Sequence, residues 1–434
     1  MTVLILGAGM AGLGCARSLH AAGLPYRILE REDGPGGLTR SFTVAGYSFD
    51  RTGHYLHSQT PYLEVALRDD GVILDDVERH AAVLIDRSVV PYPVQYNLWA
   101  LDPERRDALS GRLSPVRGRE APRDFGEMLQ ASWGPGLCEL FFEPYNRKLW
   151  GRDLTDLPPD CAGQYMPRVD LARIEAGLTS PAAFAGYNGS FRYPRSGRFG
   201  DAAVALARRC EPHTSYCTTA TSIDRSRRLV TTQSGETIRY EQLVSTLPLP
   251  ALLRLLGLTT RNPDHLTATS IRNIRVGFRG RALTRHQWLY VPDEAAPFYR
   301  VGLPVNVNPV TCPAGTASLS IECGVRAGRP VLPAEAVVEA AVARLEAAGV
   351  IEVDAIEVTH EITLDPAYVV FRSTGRPVFD ALRDELAGLG IHLAGRYGTW
   401  EYLSMDQAFK SGLDAAWRVV GRRTRTSHVQ TGAA

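Results

Sequence analysis

The feature that most constrains the fold is a glycine-rich turn at the start of the chain. Residues 7–12 read Gly-Ala-Gly-Met-Ala-Gly, between the apolar run Val3–Leu6 and a helical pattern from Met10 to about Ala22. Tyr26–Glu30 then reads as a second strand, which completes a β-α-β unit. In this context a GxGxxG motif places a dinucleotide pyrophosphate at a helix N-terminus. The sequence therefore predicts an α/β, Rossmann-like domain.

Each glycine of the motif has a separate expected task. Gly7 makes the turn, Gly9 lets the backbone approach the pyrophosphate, and Gly12 lets helix and strand pack closely. Glu30 ends the second strand 23 residues after Gly7, where a carboxylate can bind ribose hydroxyls. The alternative is a tight turn in some other α/β fold, but the strand, the helix and the acidic residue together favour dinucleotide binding.

A second glycine motif favours FAD over NAD. Gly36 and Gly37 follow a charged turn, so a second stretch of backbone can pass close to a cofactor. Near the C-terminus, Gly395 follows a short strand and precedes the last helix. This arrangement resembles the glutathione-reductase-like flavoproteins, which include the amine oxidases. After the first motif, the predicted FAD-binding residues are Gly36, Gly37, Leu38, Gly53, Gly395, Arg396 and Met405.

The composition excludes several other classes of protein. The 434 residues carry 48 Lys and Arg against 47 Asp and Glu, so neither a nucleic-acid footprint nor a basic membrane surface is expected. No apolar run reaches the roughly 18 residues of a transmembrane helix, and no basic signal region precedes the first strand. The 7 cysteines show no CxxC spacing, which favours reduced thiols, no bound metal and a cytoplasmic location.

The order of the predicted elements divides the chain into three domains and a tail. Strand follows strand from about 270 to 325, whereas residues 61–195 are mostly helical in pattern. The last strand, Ile391–Leu393, and the last helix, Gln407–Val420, plausibly join the first β-α-β unit. The predicted division is an FAD-binding domain of residues 1–60, 197–255 and 385–421, a mainly helical substrate domain of 61–196, an antiparallel sheet domain of 256–384, and a disordered tail of 422–434.

Several short segments, taken in order, resemble the UDP-galactopyranose mutases, and they are closer to the eukaryotic type than to the bacterial one. The resemblance extends over most of the chain from residue 2 to about 418. The segments are Thr52-Gly53-His54, Val90–Gln95, Pro144–Trp150, Asn188–Pro194, Trp288–Tyr290, Pro297–Arg300 and Gly395–Tyr402.

The resemblance implies an isomerase that interconverts pyranose and furanose forms of a nucleotide sugar without net redox. It implies reduced FAD as the nucleophile, with N5 attacking the anomeric carbon. NADH or NADPH is a candidate reductant, and the resemblance leaves the choice of reductant open. One alternative is a redox flavoenzyme of the amine-oxidase or protoporphyrinogen-oxidase type, which shares the FAD domain. A flavin-binding protein that has lost activity is another.

The resemblance also predicts site residues, position by position. Arginines grip the diphosphate, tyrosines donate hydrogen bonds to it, and a histidine lies beside the flavin. The expected catalytic residues are His54, Arg168, Arg300, Tyr368 and Tyr402. The expected substrate-binding residues are Tyr92, Gln95, Asn188, Trp288 and Tyr290. The alternatives are a surface ion pair for each arginine, a turn for the asparagine and core packing for the aromatic residues.

Two departures from the family pattern bear on the substrate. Val307 stands where the family has a further diphosphate-binding tyrosine, seven residues after Arg300. Ser404 aligns with an asparagine near the last helix. One uncompensated phosphate hydrogen bond is worth about 1.5–3 kcal/mol. The sequence therefore predicts a remodelled diphosphate grip or a different nucleotide sugar, as in a specialised-metabolite pathway.

Overall fold

The computed structural model contains twelve α-helices and nineteen strands within the residues that it describes. Those residues are 2–115, 120–163, 166, 169–181, 189–258, 266–326, 328, 330–370 and 375–430, with side chains as far as Gly421. The helices are α1 (Met10–Ala21), α2 (Tyr62–Asp69), α3 (Pro103–Leu109), α4 (Phe125–Leu137), α5 (Glu143–Trp150), α6 (Leu171–Ala176), α7 (Phe199–Ala207), α8 (Leu249–Leu255), α9 (Ala334–Ala347), α10 (Arg376–Gly388), α11 (Gly395–Gly398) and α12 (Met405–Gln430). The strands are β1 (Val3–Leu6), β2 (Tyr26–Leu29), β3 (Ser41–Val44), β4 (Tyr47–Asp50), β5 (Leu74–Glu78), β6 (Ala81–Ile85), β7 (Ser88–Pro91), β8 (Ser190–Pro194), β9 (Thr214–Ser215), β10 (Ala220–Asp224), β11 (Leu229–Thr232), β12 (Thr237–Arg239), β13 (Gln242–Ser245), β14 (Ser270–Ala282), β15 (Trp288–Tyr290), β16 (Arg300–Gly302), β17 (Thr316–Val325), β18 (Ile351–Leu364) and β19 (Ile391–Leu393).

A five-stranded parallel sheet carries the N-terminal motif. Its strand order is β19-β13-β1-β2-β9, and every neighbouring pair is parallel. All four residues of β1 are apolar and buried, as expected for a central strand with both faces covered. The last short strand, β19, pairs with β13, so the C-terminal segment lies in the same sheet as the first β-α-β unit.

Two glycines let α1 and α12 pack with almost no separation beside this sheet. A Cβ atom at Gly412 would lie 1.9 Å from the carbonyl oxygen of Ala11, and one at Gly14 would lie 2.3 Å from that of Phe409. Any larger residue would push the helices apart, because the obstructing atoms belong to the backbone. This close contact fixes the start of α12 next to the start of α1.

A seven-stranded, mostly antiparallel sheet forms the second layer. Its order is β18-β14-β17-β16-β15-β6-β7, and only the β15–β6 pair is parallel among these strands. The alanine-rich helix α9 packs beside it. The sequence-based division placed β6 and β7 in a helical domain of residues 61–196, but they extend this sheet. Their partner β15 lies about 200 residues further on, and local patterns carry no information on such distant pairing.

The helices between residues 103 and 176 form a separate apolar cluster. Helices α3 and α4 each begin at an aspartate, Asp102 and Asp124, whose carboxylate accepts a hydrogen bond from the backbone N–H three residues on. Inside the cluster, Trp133 stacks on Phe142 with ring centroids 4.5 Å apart. This cluster packs against Tyr92 and Tyr290 at its edge, where it meets the seven-stranded sheet.

The last helix is longer than the sequence analysis predicts. The sequence predicts a helix over Gln407–Val420, whereas α12 spans Met405–Gln430. No glycine or proline between residues 422 and 430 interrupts the helical backbone. Residues 431–434 lie outside the described chain. Within the part that is described, none of the helices is long and apolar enough to cross a bilayer.

Candidate active site

The first glycine motif has the geometry of a phosphate loop. Gly7 has a φ of +102°, which favours glycine. A Cβ atom at Gly12 would lie 1.9 Å from the carbonyl oxygen of Gly7, so only a glycine fits under the turn. Gly9 caps α1 in an extended conformation, and the helix N-terminus therefore presents its first N–H groups at the edge of the parallel sheet.

Glu30 is tied to this loop by hydrogen bonds. Its side chain is buried, with Oε2 accepting from the Ala8 N–H at 2.7 Å and Oε1 from the Glu32 N–H at 2.9 Å. The carboxylate thus lies at the end of β2 beside the phosphate loop. This is where a ribose hydroxyl of a bound dinucleotide would donate a hydrogen bond.

The second glycine pair lies directly against the first motif. The N–H of Gly36 donates to the carbonyl of Ala8 at 2.8 Å, and Gly36 and Gly37 have φ of +110° and +58°. A Cβ atom at Gly37 would lie 3.3 Å from the Cα of Gly9. The two motifs therefore form one cradle of bare backbone, which side chains would fill. Such a cradle at a helix N-terminus fits the pyrophosphate of FAD.

The C-terminal segment closes onto the same region. Gly395 has a φ of +79°, and a Cβ atom there would lie 2.8 Å from the Cβ of Ala11 in the first turn of α1. Arg396 donates from Nε to the carbonyl of Leu403 at 2.8 Å, and its guanidinium carbon lies 5.0 Å from the ring centroid of Tyr402. Met405, the first residue of α12, packs into the core around α1. The segment predicted to cover the cofactor is therefore adjacent to the phosphate loop.

His54 links the cofactor side to the substrate side of the site. Its Nδ1 lies 2.7 Å from the hydroxyl of Thr52. Burial, followed by the nearby Arg396, lowers the pKa of His54 to about 4, and Arg300 acts in the same direction. The imidazole is therefore neutral at pH 7 and close to both arginines. Gly53, which precedes it, lies against the ring of Tyr55.

Arg300 presents a charged fork with donors to spare. Its Nη2 lies 2.7 Å from both carboxylate oxygens of Glu322, the opposing residue on β17. Burial disfavours the charged form, but Glu322 together with Tyr368, Tyr299 and Tyr145 outweighs it, so the pKa of Arg300 is raised well above its ordinary value. Nε and Nη1 make no hydrogen bond to any residue that the structure describes. Those two donors match the oxygens of a diphosphate.

Tyr145, Tyr299 and Tyr368 lie near the Arg300 charge, and Tyr290 is its cross-strand neighbour on β15. The rings of Tyr368 and Tyr402 stack with centroids 5.4 Å apart and an interplanar angle of 4°. The ring of Tyr290 lies 5.0 Å from that of Tyr92 and 5.5 Å from that of Tyr145. Burial, followed by the neighbouring Tyr290, raises the pKa of Tyr145 well above its ordinary value, so its hydroxyl stays protonated. The Tyr145 hydroxyl can therefore donate a hydrogen bond at neutral pH.

Trp288 and Arg79 extend the aromatic wall. Trp288 stacks on Tyr55 with ring centroids 4.9 Å apart. The guanidinium carbon of Arg79 lies 5.1 Å from the Trp288 ring centroid and 4.7 Å from that of Tyr92, and its Nη2 donates to the Tyr290 hydroxyl at 3.3 Å. Three of the residues predicted to bind substrate are thus joined through one arginine. The sequence analysis missed Arg79, because its position is defined by the distant β6–β15 pairing.

A buried arginine lies beneath the site and was also missed. Arg275 is 1% exposed, and its guanidinium donates to the carbonyls of Asp50 and Arg51 at 2.7 Å and to the Ser320 hydroxyl at 2.6 Å. Burial lowers the pKa of Arg275 to about 10. Burial also raises the pKa of Asp50 to about 6, although Ser41 and other donors oppose the shift. The available sequence signal was the pair Arg272 and Arg275, two charged residues inside the strand-rich stretch that begins near residue 270.

The remaining predicted residues divide into three groups. Arg168 and Asn188 lie outside the described residues. Gln95 is buried on a short 3-10 turn three residues after Tyr92, with 2% of its surface exposed. Ser404 caps α12, where its N–H donates to the Gln407 side chain at 2.9 Å. Among the described residues, no three His, Cys, Asp or Glu side chains form a cluster that could hold a metal ion.

Comparisons with known proteins bear on the fold and on the family of the chain. A reduced UDP-galactopyranose mutase structure is similar over 97% of this chain and 95% of its own, with 26% identity and a TM-score of 0.89. A provisionally assigned protoporphyrinogen oxidase of Exiguobacterium sp. 255-15 matches with 17% identity, a TM-score of 0.73, and coverage of 96% and 98%. A putrescine oxidase with bound putrescine has 13% identity, a TM-score of 0.66, and coverage of 97% and 99%. The sequence pattern described as "Flavin containing amine oxidoreductase" matches residues 10–420, and the chain belongs to that family of flavin enzymes.

Proposed function

We propose that the protein is a flavin-dependent mutase that interconverts the pyranose and furanose forms of a nucleotide sugar. The observation that carries the proposal is the Arg300 fork near His54 and the cofactor side, whose Nε and Nη1 donate no hydrogen bond to the residues that the structure describes. A diphosphate needs such fixed cationic donors, whereas oxidation of an amine does not. The likeness to a UDP-galactopyranose mutase at 26% identity supports the same reading, since the oxidase likenesses are at 17% and below.

In this proposal Arg300 binds the diphosphate both in the substrate and after it has left the sugar. The guanidinium stays charged throughout the reaction, so it stabilises the added negative charge of the departing diphosphate without transferring a proton. Glu322 fixes one nitrogen of the fork and leaves the other side facing the ligand. The tyrosine hydroxyls of Tyr368 and Tyr402 complete the grip as neutral donors.

His54 and Arg396 act on the cofactor side. A neutral imidazole can hydrogen-bond a flavin ring atom without adding charge, and the lowered pKa keeps His54 in that form. Arg396 is held by the Leu403 carbonyl and by the tyrosine pair, so its charge is fixed near the diphosphate. A reduced flavin in the glycine cradle would supply the nucleophile for the anomeric carbon. We propose NADH or NADPH as the source of its electrons.

The aromatic wall of Tyr92, Trp288 and Tyr290 would hold the nucleoside and the sugar ring. Flat, partly buried rings supply contact area at little conformational cost, and the arginine between them adds a cation. Because every base can stack on an aromatic ring, the test below compares nucleotides with different bases and different sugars.

The direct test compares oxidised and reduced protein. The purified protein, loaded with FAD, is incubated anaerobically with UDP- and GDP-linked hexopyranoses and pentopyranoses before and after dithionite reduction. Chromatography with NMR identifies the products. We expect the reduced sample to produce a furanose isomer of the same mass and the oxidised sample to show no turnover. An oxidised product, formed while oxygen or another electron acceptor is consumed, would identify a redox enzyme instead.

A further inference from the structure

The hydrogen bonds of the His54 ring come from Thr52, the residue two positions before it. The Nδ1 atom of His54 lies 2.7 Å from the Thr52 hydroxyl and 3.2 Å from the Thr52 carbonyl oxygen. The same hydroxyl lies 3.4 Å from Nε2, which is long for a hydrogen bond. Within the described part of the chain, no other residue forms a hydrogen bond with this imidazole. The polar contacts that orient the ring therefore belong to one side chain and its own backbone.

These contacts determine which nitrogen of the neutral ring carries the proton. A carbonyl oxygen only accepts hydrogen bonds, so Nδ1 must be the N–H that donates to the Thr52 carbonyl. The Thr52 hydroxyl can donate or accept, and it then accepts from the same N–H at the shorter distance. In the opposite tautomer, the lone pair of Nδ1 would face the carbonyl oxygen. Because a neutral imidazole has only one N–H, Nε2 of His54 is left as an acceptor.

The neutral ring lies next to the cofactor side of the site. Arg396, whose charge acts on His54, directly follows Gly395, which packs against the first turn of α1. Burial, followed by Arg396, lowers the pKa of His54 to about 4, so the ring holds a single proton at neutral pH. A flavin gains a ring N–H when it is reduced. An acceptor beside the flavin therefore stabilises the reduced form more than the oxidised form.

We propose that Thr52 is a positioning residue that holds His54 as the Nδ1–H tautomer, so that Nε2 accepts a hydrogen bond from the reduced flavin and favours the reduced state. The inference rests on the place that the proposed function gives to His54 beside the flavin, and it adds the residue that orients the ring. Thr52 acts through His54, as a group that fixes the tautomer and direction of a functional histidine. The inference is independent of the sugar and of the base.

The test reads the tautomer directly and then removes the hydroxyl. FAD-loaded protein with isotope-labelled histidine is studied by nitrogen NMR at neutral pH, oxidised and anaerobically reduced, and His54→Asn assigns the His54 signals. Thr52→Val replaces the hydroxyl with a methyl group, whereas Thr52→Ser keeps it. Thr284→Val is the matched control, because the Thr284 hydroxyl lies 2.5 Å from Nδ1 of His286 at the same spacing in the chain. Flavin content and melting temperature confirm that each variant folds.

In the wild type, His54 should show a protonated Nδ1 and an unprotonated Nε2, and the reverse would overturn the inference. Thr52→Val should lower the ratio of the Nδ1–H form to the Nε2–H form by about 5- to 10-fold, which is the effect of one lost neutral hydrogen bond. Thr52→Ser should keep the wild-type ratio. An unchanged ratio in Thr52→Val would also overturn the inference.

The midpoint potential of the flavin, measured against a reference dye, separates this inference from the proposed function. Thr52→Val should favour the oxidised flavin by up to about 10-fold, or about 30 mV for a two-electron couple, and Thr284→Val should leave the potential unchanged. A shift in His54→Asn but none in Thr52→Val would overturn the inference alone. No shift in His54→Asn would overturn both the inference and the role that the proposed function gives to His54. Absence of a furanose product, with the expected tautomer and potentials, would contradict the mutase function alone.

Discussion

Arg300 forms an ion pair with Glu322 and, in our proposal, also binds the diphosphate of the substrate. Glu322 forms an ion pair with Nη2, which offsets part of the cost of burying the charge, while Nε and Nη1 bond no residue in the described part of the chain. The resemblance predicts Arg300 from the segment Pro297–Arg300. It could not name Glu322, because the pairing of β16 with β17 that brings the two together is a matter of strand register.

Removal of the fork should weaken nucleotide binding strongly. Arg300→Ala takes away a desolvated contact to the diphosphate, which costs about 2–4 kcal/mol and corresponds to about 30-fold or more in dissociation constant. Calorimetric titration with the nucleoside diphosphate preferred by the wild type measures the loss. Arg281→Ala, which removes an exposed arginine paired with Glu352, is the control and should bind normally. Unchanged affinity in Arg300→Ala would show that the fork does not hold the diphosphate.

His54 should make stability depend on pH in one direction. Its folded pKa of about 4 lies below the ordinary 6.5, so between these values the unfolded chain binds a proton that the folded chain does not. Stability from this residue therefore increases as the pH rises from about 4 to 6.5, and it is fully present above that range. Asp50, with its pKa raised to about 6, acts in the opposite direction.

The variant His54→Asn separates the effect of His54 on stability from that of Asp50. The difference in unfolding free energy between wild type and His54→Asn should become more favourable to the wild type from pH 5 to pH 7.5, since Asp50 is common to both proteins. Urea denaturation at the two pH values measures it. A difference that stays constant would mean that His54 is not held in its neutral form.

Among the elements, the strands and helices with strong local signals were predicted well. The run Val3–Leu6, the helix from Met10 and the strand from Tyr26 are observed within one residue of their predicted ends, because glycine turns and buried apolar runs mark them. The hairpin of β3 and β4 follows from its Ala45-Gly46 turn, in which both residues have positive φ. The sheet to which β6 and β7 belong was not predictable in the same way.

The contact between α1 and α12 should tolerate no side chain. Gly412→Ala places a methyl group 1.9 Å from a backbone oxygen of α1, so the helices must separate, at a cost of about 1–3 kcal/mol. Because α12 begins beside the cofactor cradle, flavin retention should decrease as well. The control is Gly421→Ala on the same helix, where a Cβ atom meets nothing within 4 Å and alanine should be neutral or stabilising. Equal melting temperatures and flavin contents for the two variants would contradict this account.

At the scale of the whole molecule, the site depends on hydrogen bonds between elements that are distant in sequence. Arg275 on β14 donates to the carbonyls at the end of the β3–β4 hairpin, and Asp406 of α12 accepts from the N–H of Thr60 at 2.7 Å. These contacts hold the cofactor cradle against the substrate wall. The sequence indicated both halves separately through its glycine motifs and its aromatic segments. The arginine and the buried acceptors that join them were not predictable, since each partner lies on a different layer.

The central claim is that electrons from the cofactor catalyse the rearrangement and are not consumed by it. The most direct measurement is the number of product molecules formed per electron pair supplied. The protein is reduced anaerobically with one equivalent of dithionite per flavin, excess reductant is removed, and the preferred nucleotide sugar is added in 100-fold excess. If the protein is a mutase, many furanose molecules should form per flavin, and the flavin should still be reduced at the end. One product molecule or fewer per electron pair, or product accompanied by reoxidation of the flavin, would contradict it.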